Sequence, residues 1–268
     1  MLTHGKPDFS LILVNYRSAD MLERALLSLQ HPDVLDGRME IIVANNDISE
    51  QERIRDLSEY FHFRVVFLPE NNGFGNAANQ AASVANGNII GFINPDTELK
   101  AGSLDLVLRF FKLHPEVGVV GGSLVSQDGV REAWSTGKPM TLFRLLRNQS
   151  ALCSGRKYWE NKRPISVGWV SGGLLFIRSE LFRELLGFDE RFFLYFEDMD
   201  LCVRAGKNGF RTVFFPNLSF FHTGGASLDS DSVRKRIYYE SQDQYFAKHR
   251  PRVEGFLVSL FRSGLSKV

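Results

Sequence analysis

The chain of 268 residues carries 32 Lys or Arg against 31 Asp or Glu, a net charge of +1, with 44% hydrophobic and 24% charged residues. These proportions suit a globular chain long enough to bury a large core, and they exclude a disordered protein or a strongly cationic nucleic-acid binder. Two cysteines, Cys153 and Cys202, match neither a metal spacing nor a disulfide framework; no window approaches the roughly 20 apolar residues of a membrane span, and the N-terminus lacks a signal-peptide core, so a cytoplasmic protein is expected.

Phe9 to Asn15 reads as a buried strand, and Ser18 as the cap of a helix whose Met21, Leu22, Ala25, Leu26 and Leu29 share one face, closed by Pro32. Met39 to Asn45 is a second strand, followed by the capping-box pattern Ser49-Glu50-Gln51-Glu52 and a helix through Ile54, Leu57 and Phe61. Phe63 to Leu68 is a third strand. A polar loop, Asn71 to Asn76, leads into an Ala-rich helix ending near Ala85, and the run Asn88 to Ile93 is a fourth strand stopped by Pro95, which has no N–H to donate. Asp96 is thereby delivered just beyond the carboxyl end of a central strand and is a candidate metal ligand, although Asp-Thr after a strand also suits an ordinary turn.

Strands alternating with helices predict βαβ units and a mainly parallel sheet. Asn15-Tyr16, Asn45-Asn46-Asp47, the 71–76 loop and Asp96 then gather along one sheet edge, where a nucleotide or other anionic ligand fits. Gly73-Phe74-Gly75 lacks the third glycine of a dinucleotide fingerprint and follows the third strand instead of the first, so a dehydrogenase is rejected.

Ser103 to His114 reads as a helix, Val117 to Gly121 as a strand, and Leu124 to Val130, broken at Gln127-Asp128-Gly129, as a hairpin-type turn that makes the sheet mixed. From Arg131 to Arg163 there are eight Lys or Arg, Arg156 and Lys157 among them, against Glu132 and Glu160; this is a solvated loop or a surface for an anionic acceptor or lipid head groups. Val167 to Arg178 reads as two strands around the small-residue break Ser171-Gly172-Gly173, and Ser179 as the cap of a helix to Leu186. Glu197, Asp198 and Asp200 follow a run of aromatics. They suit either the first turn of a helix, through its dipole, or a partly desolvated general base. Arg211 to Phe215 is a late strand, and His222, a lone His at a strand end, suits a structural role or, with Asp96 already a candidate, a second metal ligand. The tail is helical from Ser232 to His249, and Phe256, Leu257, Leu260 and Phe261 make a short amphipathic piece for core or dimer packing first and a membrane surface second.

With Val14-Asn15-Tyr16, Asn71-Asn72-Gly73-Phe74-Gly75, Asn94-Pro95-Asp96-Thr97, Ser171-Gly172-Gly173, Gly187-Phe188-Asp189-Glu190, Phe196-Glu197-Asp198-Met199-Asp200 and His222-Thr223-Gly224-Gly225 in this order, the chain resembles the family 2 inverting glycosyltransferases, rhamnosyltransferase-like members included. The resemblance implies an α/β GT-A fold, with a mostly parallel (mixed) sheet flanked by helices. It divides into a nucleotide-sugar half over residues 1–122, an acceptor and catalytic half over 123–228 and a helical tail over 229–268. It implies transfer of a sugar, such as rhamnose, from a dTDP- or UDP-linked donor to a saccharide or lipid-linked saccharide acceptor in surface polysaccharide synthesis. Asn15, Tyr16, Asn45, Asp47, Asn72, Gly73, Phe74, Gly75, Asn79, Asn94 and Asp96 would bind the nucleotide sugar. Trp169, Ser171, Gly172 and Gly173 would meet the acceptor or donor sugar. Asp96 and His222 would hold Mg²⁺ or Mn²⁺, and Asp198, with Glu197 beside it, would be the catalytic base.

Two departures stand out. Ala44 occupies a position where many relatives carry a base-recognising Asp, and Asn94 the position of the first acid of the DxD motif. A non-catalytic nucleotide-sugar-binding subunit is therefore the alternative. A nucleotidyltransferase would show a Gly- and Lys/Arg-rich loop after the first strand, which Asn15-Tyr16-Arg17-Ser18 is not. Peripheral contact with the inner face of the membrane and a homodimer are left open.

Overall fold

Short runs of β-branched and aromatic residues, too apolar to leave either face in water, build the centre of the molecule. A computed structural model describes residues 6–29, 39–133, 135–149, 158–223 and 230–265. Pro32, Cys153, Arg156, Lys157, Gly224 and Gly225, singled out above, lie outside these.

The first half follows the expected alternation: β1 (Phe9–Asn15), α1 (Ala19–Leu29), β2 (Met39–Asn45), α2 (Gln51–Phe61), β3 (Arg64–Phe67), α3 (Phe74–Ser83) and β4 (Ile89–Ile93). The second half comprises β5 (Thr97–Ala101), α4 (Leu104–Leu113), β6 (Val117–Val125), β7 (Thr136–Gly137), α5 (Leu142–Gln149), β8 (Ile165–Val167), β9 (Trp169–Val170), β10 (Leu174–Arg178), α6 (Ser179–Glu184), α7 (Glu197–Lys207), β11 (Arg211–His222), α8 (Asp231–His249) and α9 (Arg252–Leu265). The described residues form a nine-stranded sheet in the order β3-β2-β1-β4-β10-β6-β11-β5, with β8 also on β11. β1 to β4 are mutually parallel; the sheet is mixed as expected, but through β10, antiparallel to both β4 and β6, and not at the 124–130 turn, which makes only the isolated bridge Val125↔Arg131.

Both faces are covered. Ala77, Ala78 and Ala81 of α3 let that helix lie close on one face, which α6, α7 and α8 also cover, while α1, α2 and α4 pack on the other. Tyr245 and Phe246 of α8 are buried in the first of these layers, so this helix of the tail is part of the core. No helix among the described residues is long and apolar enough to cross a membrane.

Four local expectations are corrected. Ser18 does not cap α1: its hydroxyl donates to Asn15 Oδ1 (3.0 Å), and Glu50 accepts the N–H groups of Ser18 (3.1 Å) and Ala19 (3.3 Å) from 32 and 31 residues away. The capping box is consequently absent, and Asp47 caps the short 3₁₀ turn before α2 by accepting from Ser49 N–H (2.9 Å). Ser179 is the first residue of α6, not its cap, with its hydroxyl on the Gly87 carbonyl (2.5 Å). The late strand expected over Arg211 to Phe215 continues as β11 through Pro216 to His222, where it pairs with β5, which Thr97 opens after the turn at Pro95-Asp96.

Candidate active site

The chain reverses sharply after β4. Thr97 donates its N–H (3.2 Å) and its hydroxyl (2.7 Å) to the Asn94 carbonyl, turning Asp96 inward and sending β5 back along β11. The register Thr97↔His222 then sets His222 beside Asp96, with Nε2 3.4 Å from Asp96 Oδ1. On its other side His222 Nδ1 lies 2.6 Å from Glu132 Oε1, brought there by the turn after β6, where Glu132 N–H bonds the Leu124 carbonyl (2.9 Å). Burial works against the charged imidazole, but the two carboxylates outweigh it and raise the His222 pKa to about 10. Asp96 Oδ1 is buried and has no hydrogen-bond partner.

A second acid centre forms where α7 begins. Tyr195 (φ 71°) and Phe196 (φ 66°) are consecutive left-handed residues, a strained backbone costing about 1–3 kcal/mol each. That bend aims Asp198 at the Ser171-Gly172-Gly173 turn. Its Oδ2 accepts from Gly172 N–H (2.9 Å) and its Oδ1 from Met199 N–H (2.6 Å). The same turn reaches the metal side, for Asn94 N–H donates to the Gly173 carbonyl (3.0 Å). Burial raises the Asp198 pKa, opposed by these backbone donors, while burial and the Asp198 charge together push Glu197 well above the usual carboxylate range. Glu197 Oε2 is buried without a hydrogen-bond partner.

Two cavities, of about 360 and 680 Å³, meet at Phe74, Asn94, Leu194, Tyr195 and His222. The smaller is bounded by Tyr16, Asn46, Asn71, Gly73 and Asp96. The larger holds Glu197 and Asp198 under a wall of Trp169, Met140, Tyr238 and Tyr239. Gly73 is required at their edge: at φ 94° its backbone passes so close to Phe193 that a Cβ would lie 2.3 Å from that residue's carbonyl oxygen.

The structure thus brings Tyr16, Gly73, Phe74, Asn94, Asp96 and His222 to the smaller cavity, and Trp169, Ser171, Gly172, Gly173, Glu197 and Asp198 to the larger. It does not bring Asn15, Asn45, Asp47, Asn72, Gly75 or Asn79 to either. Asn15 and Asn45 are fully buried, bonded to each other (2.9 Å) and to Glu50 and the Asp47 carbonyl. Asn72 is exposed beside Glu70, and Gly75 faces the Phe188 side chain. Asn79 clamps the Phe188 backbone from both sides (2.8 and 2.9 Å). In their place stand Asn46, whose buried Oδ1 is unpartnered at the cavity, and Arg234, with Glu132 behind His222. Asn46 was legible as part of the 45–47 cluster; nothing local in the sequence marks the other two.

Among the described residues no three His, Cys, Asp or Glu side chains converge as a closed metal site. The residues present nevertheless fit a hard divalent cation: the buried Asp96 Oδ1, which makes no hydrogen bond, faces His222 Nε2, a carboxylate and an imidazole that, once the imidazole gives up its Nε2 proton, leave coordination positions for phosphate oxygens and water.

Comparison with protein-family profiles matches residues 10–186 to "Glycosyl transferase family 2". Among curated proteins, an N-acetylglucosaminyl-diphospho-decaprenol L-rhamnosyltransferase of Mycobacterium tuberculosis is 27% identical over 266 residues, covering 90% of this chain and 84% of the relative. The O-antigen biosynthesis protein RfbC of Myxococcus xanthus is also 27% identical, over 92% of this chain and 19% of its own length. Among solved structures, a mannosyltransferase of Pyrobaculum calidifontis in complex with GDP-Man and Mn²⁺ superimposes with a TM-score of 0.59 at 20% identity, over 95% of this chain and 64% of that one. This last likeness shows the fold, which is the GT-A arrangement expected.

Proposed function

The chain belongs to glycosyl transferase family 2, and from that premise we propose that it transfers a sugar, with inversion, from a nucleoside-diphosphate donor to a saccharide hydroxyl in surface polysaccharide synthesis. Rhamnose moved onto a lipid-linked saccharide is the version that the name of the Mycobacterium relative favours, and a dTDP- or UDP-linked donor is proposed with it. The observation that carries the reading is the pair of contiguous cavities, one opening on Asp96 and His222 and the other on Asp198.

The nucleoside diphosphate occupies the smaller cavity and the acceptor the larger. Asp198 accepts the proton of the acceptor hydroxyl as its oxygen bonds to the anomeric carbon, and the electron pair of the broken bond leaves on the diphosphate. The N–H groups of Gly172 and Met199 hold Asp198 ionised and oriented for this. Burial and the Asp198 charge push the Glu197 carboxyl above the usual range, which disfavours a second negative charge beside the base. Asp96 and His222 would hold Mg²⁺ or Mn²⁺, which offsets charge on the departing diphosphate.

Contact with the inner face of the cytoplasmic membrane is part of the proposal. Phe143 of α5 is 72% exposed, as are Val253 (61%), Phe256 (62%) and Leu260 (51%) along α9, which α5 meets through Leu142 N–H and Glu254 (3.0 Å). Flotation with anionic liposomes tests it, and a protein that stays at the bottom of the gradient removes it.

The function is tested by thermal shift against UDP, dTDP and GDP with Mn²⁺ or EDTA, then by transfer from the sugar nucleotides that bind. Metal-dependent stabilisation and turnover support it; donor binding without transfer to any acceptor returns the binding-subunit alternative.

A further inference from the structure

Arg234 enters the donor cavity from the C-terminal helix. Ser230 caps α8 by accepting the Val233 N–H (3.4 Å), and Arg234, in the first turn, lines the smaller cavity together with Asp96, His222, Asn46 and Tyr195. It is the only Lys or Arg among the described residues that line either cavity. Its guanidinium is not committed elsewhere: the ion-pair partner Asp231 is 3.7 Å away, one turn back and 85% exposed, a loose pair of little energetic weight.

The helix that carries it is firmly registered on the catalytic elements. Ser241 donates its hydroxyl to the Leu194 carbonyl (2.7 Å). Lys248 Nζ lies 2.6 Å from Asp189 Oδ2 and 2.5 Å from Asp200 Oδ1, and His249 Nε2 is 2.6 Å from Asp200 Oδ1. Asp200 sits on α7 two residues after Asp198, and Leu194 and Tyr195 border both cavities. The position of Arg234 is therefore tied to the position of the base.

We infer that Arg234 binds the diphosphate of the donor and of the departing nucleotide, a substrate-binding role that rests on the glycosyltransferase reading above. Asp96 contributes only negative charge to this cavity, so a diphosphate there needs cationic partners besides the cation that Asp96 and His222 would hold. A guanidinium is always protonated and presents paired N–H donors that match two phosphate oxygens. As the bond to the anomeric carbon breaks, the electron pair passes to the β-phosphate, so the contact strengthens on the way to the transition state.

The test is calorimetric titration of the wild type, Arg234→Gln and Arg234→Lys with UDP, UMP, dTDP, dTMP, GDP and GMP, each with Mn²⁺, alongside melting temperatures. Arg234→Gln is expected to melt as the wild type does, to lose roughly tenfold to a hundredfold in diphosphate affinity, and to bind monophosphates almost unchanged. Arg234→Lys should recover part of the loss. If Arg234→Gln keeps the wild-type preference for diphosphate over monophosphate, Arg234 has no such role and the glycosyltransferase reading stands. If the wild type binds none of these nucleotides, the reading of the cavity falls and the role of Arg234 with it.

Discussion

His222 Nδ1 lies 2.6 Å from Glu132 Oε1, which makes Nδ1 the hydrogen-bond donor to a carboxylate and turns Nε2 towards Asp96. A metal-binding histidine is oriented in this way by a carboxylate behind it. Glu132→Gln weakens that bond without removing the side chain, and is expected to lower Mn²⁺ affinity by roughly tenfold to a hundredfold. Titration followed by the electron paramagnetic resonance of free Mn²⁺ measures it, and unchanged affinity would show that Glu132 is a bystander.

Asp198→Asn keeps the shape of the side chain but can accept only one of the two backbone N–H bonds, and it cannot take a proton. Transfer should fall by about 10²- to 10⁴-fold, with nucleotide affinity preserved. Because burial raises its pKa, the acid limb of kcat/KM in the wild type should lie above the ordinary Asp range, activity growing as pH rises through that value. Normal turnover by Asp198→Asn would refute the mechanism.

Glu197 predicts a stability effect of the opposite slope to most carboxylates. Its folded pKa is raised, so its contribution is fully present below the unfolded value of about 4.3 and is lost as pH rises through the folded one. Glu197→Gln should therefore melt higher than the wild type at alkaline pH, and the two should converge in mild acid. A gap that is constant across pH would mean that Glu197 is ionised in the folded protein.

Asp200 is fully buried among Lys248, His249 and Arg204. Asp200→Asn leaves the buried Arg204 guanidinium without its carboxylate, Lys248 keeping only Asp189, and is expected to cost about 3–5 kcal/mol, read from urea denaturation. Asp189, held low by Arg191 and Lys248, and Asp200 both have depressed pKa values despite burial. Their stabilisation is complete above the unfolded value of about 3.9 and is lost as pH falls through the folded values, so Asp200→Asn should also be less steeply acid-labile than the wild type.

Much of the donor half was legible in the sequence. Buried strands announce themselves by composition, helices by their apolar face, and Pro95 by the hydrogen bond it cannot make, so the sheet edge and the placement of Asp96 followed from local chemistry. Asp198 and His222 were reachable because each follows a recognisable apolar run.

What only the tertiary structure decided is how each polar side chain spends its hydrogen bonds. Asn79 is expected from the resemblance to meet the nucleotide sugar, yet it holds Glu190, 111 residues away; Glu50 reads like part of a local capping box, yet it caps a helix 31 residues before it. Glu132 and Arg234 carry no local signal because their value depends on strands and helices from other parts of the chain arriving beside them. Periodicity records which face of an element is buried. It does not record which distant carboxylate, amide or guanidinium completes that face, because that pairing exists only after the elements have packed.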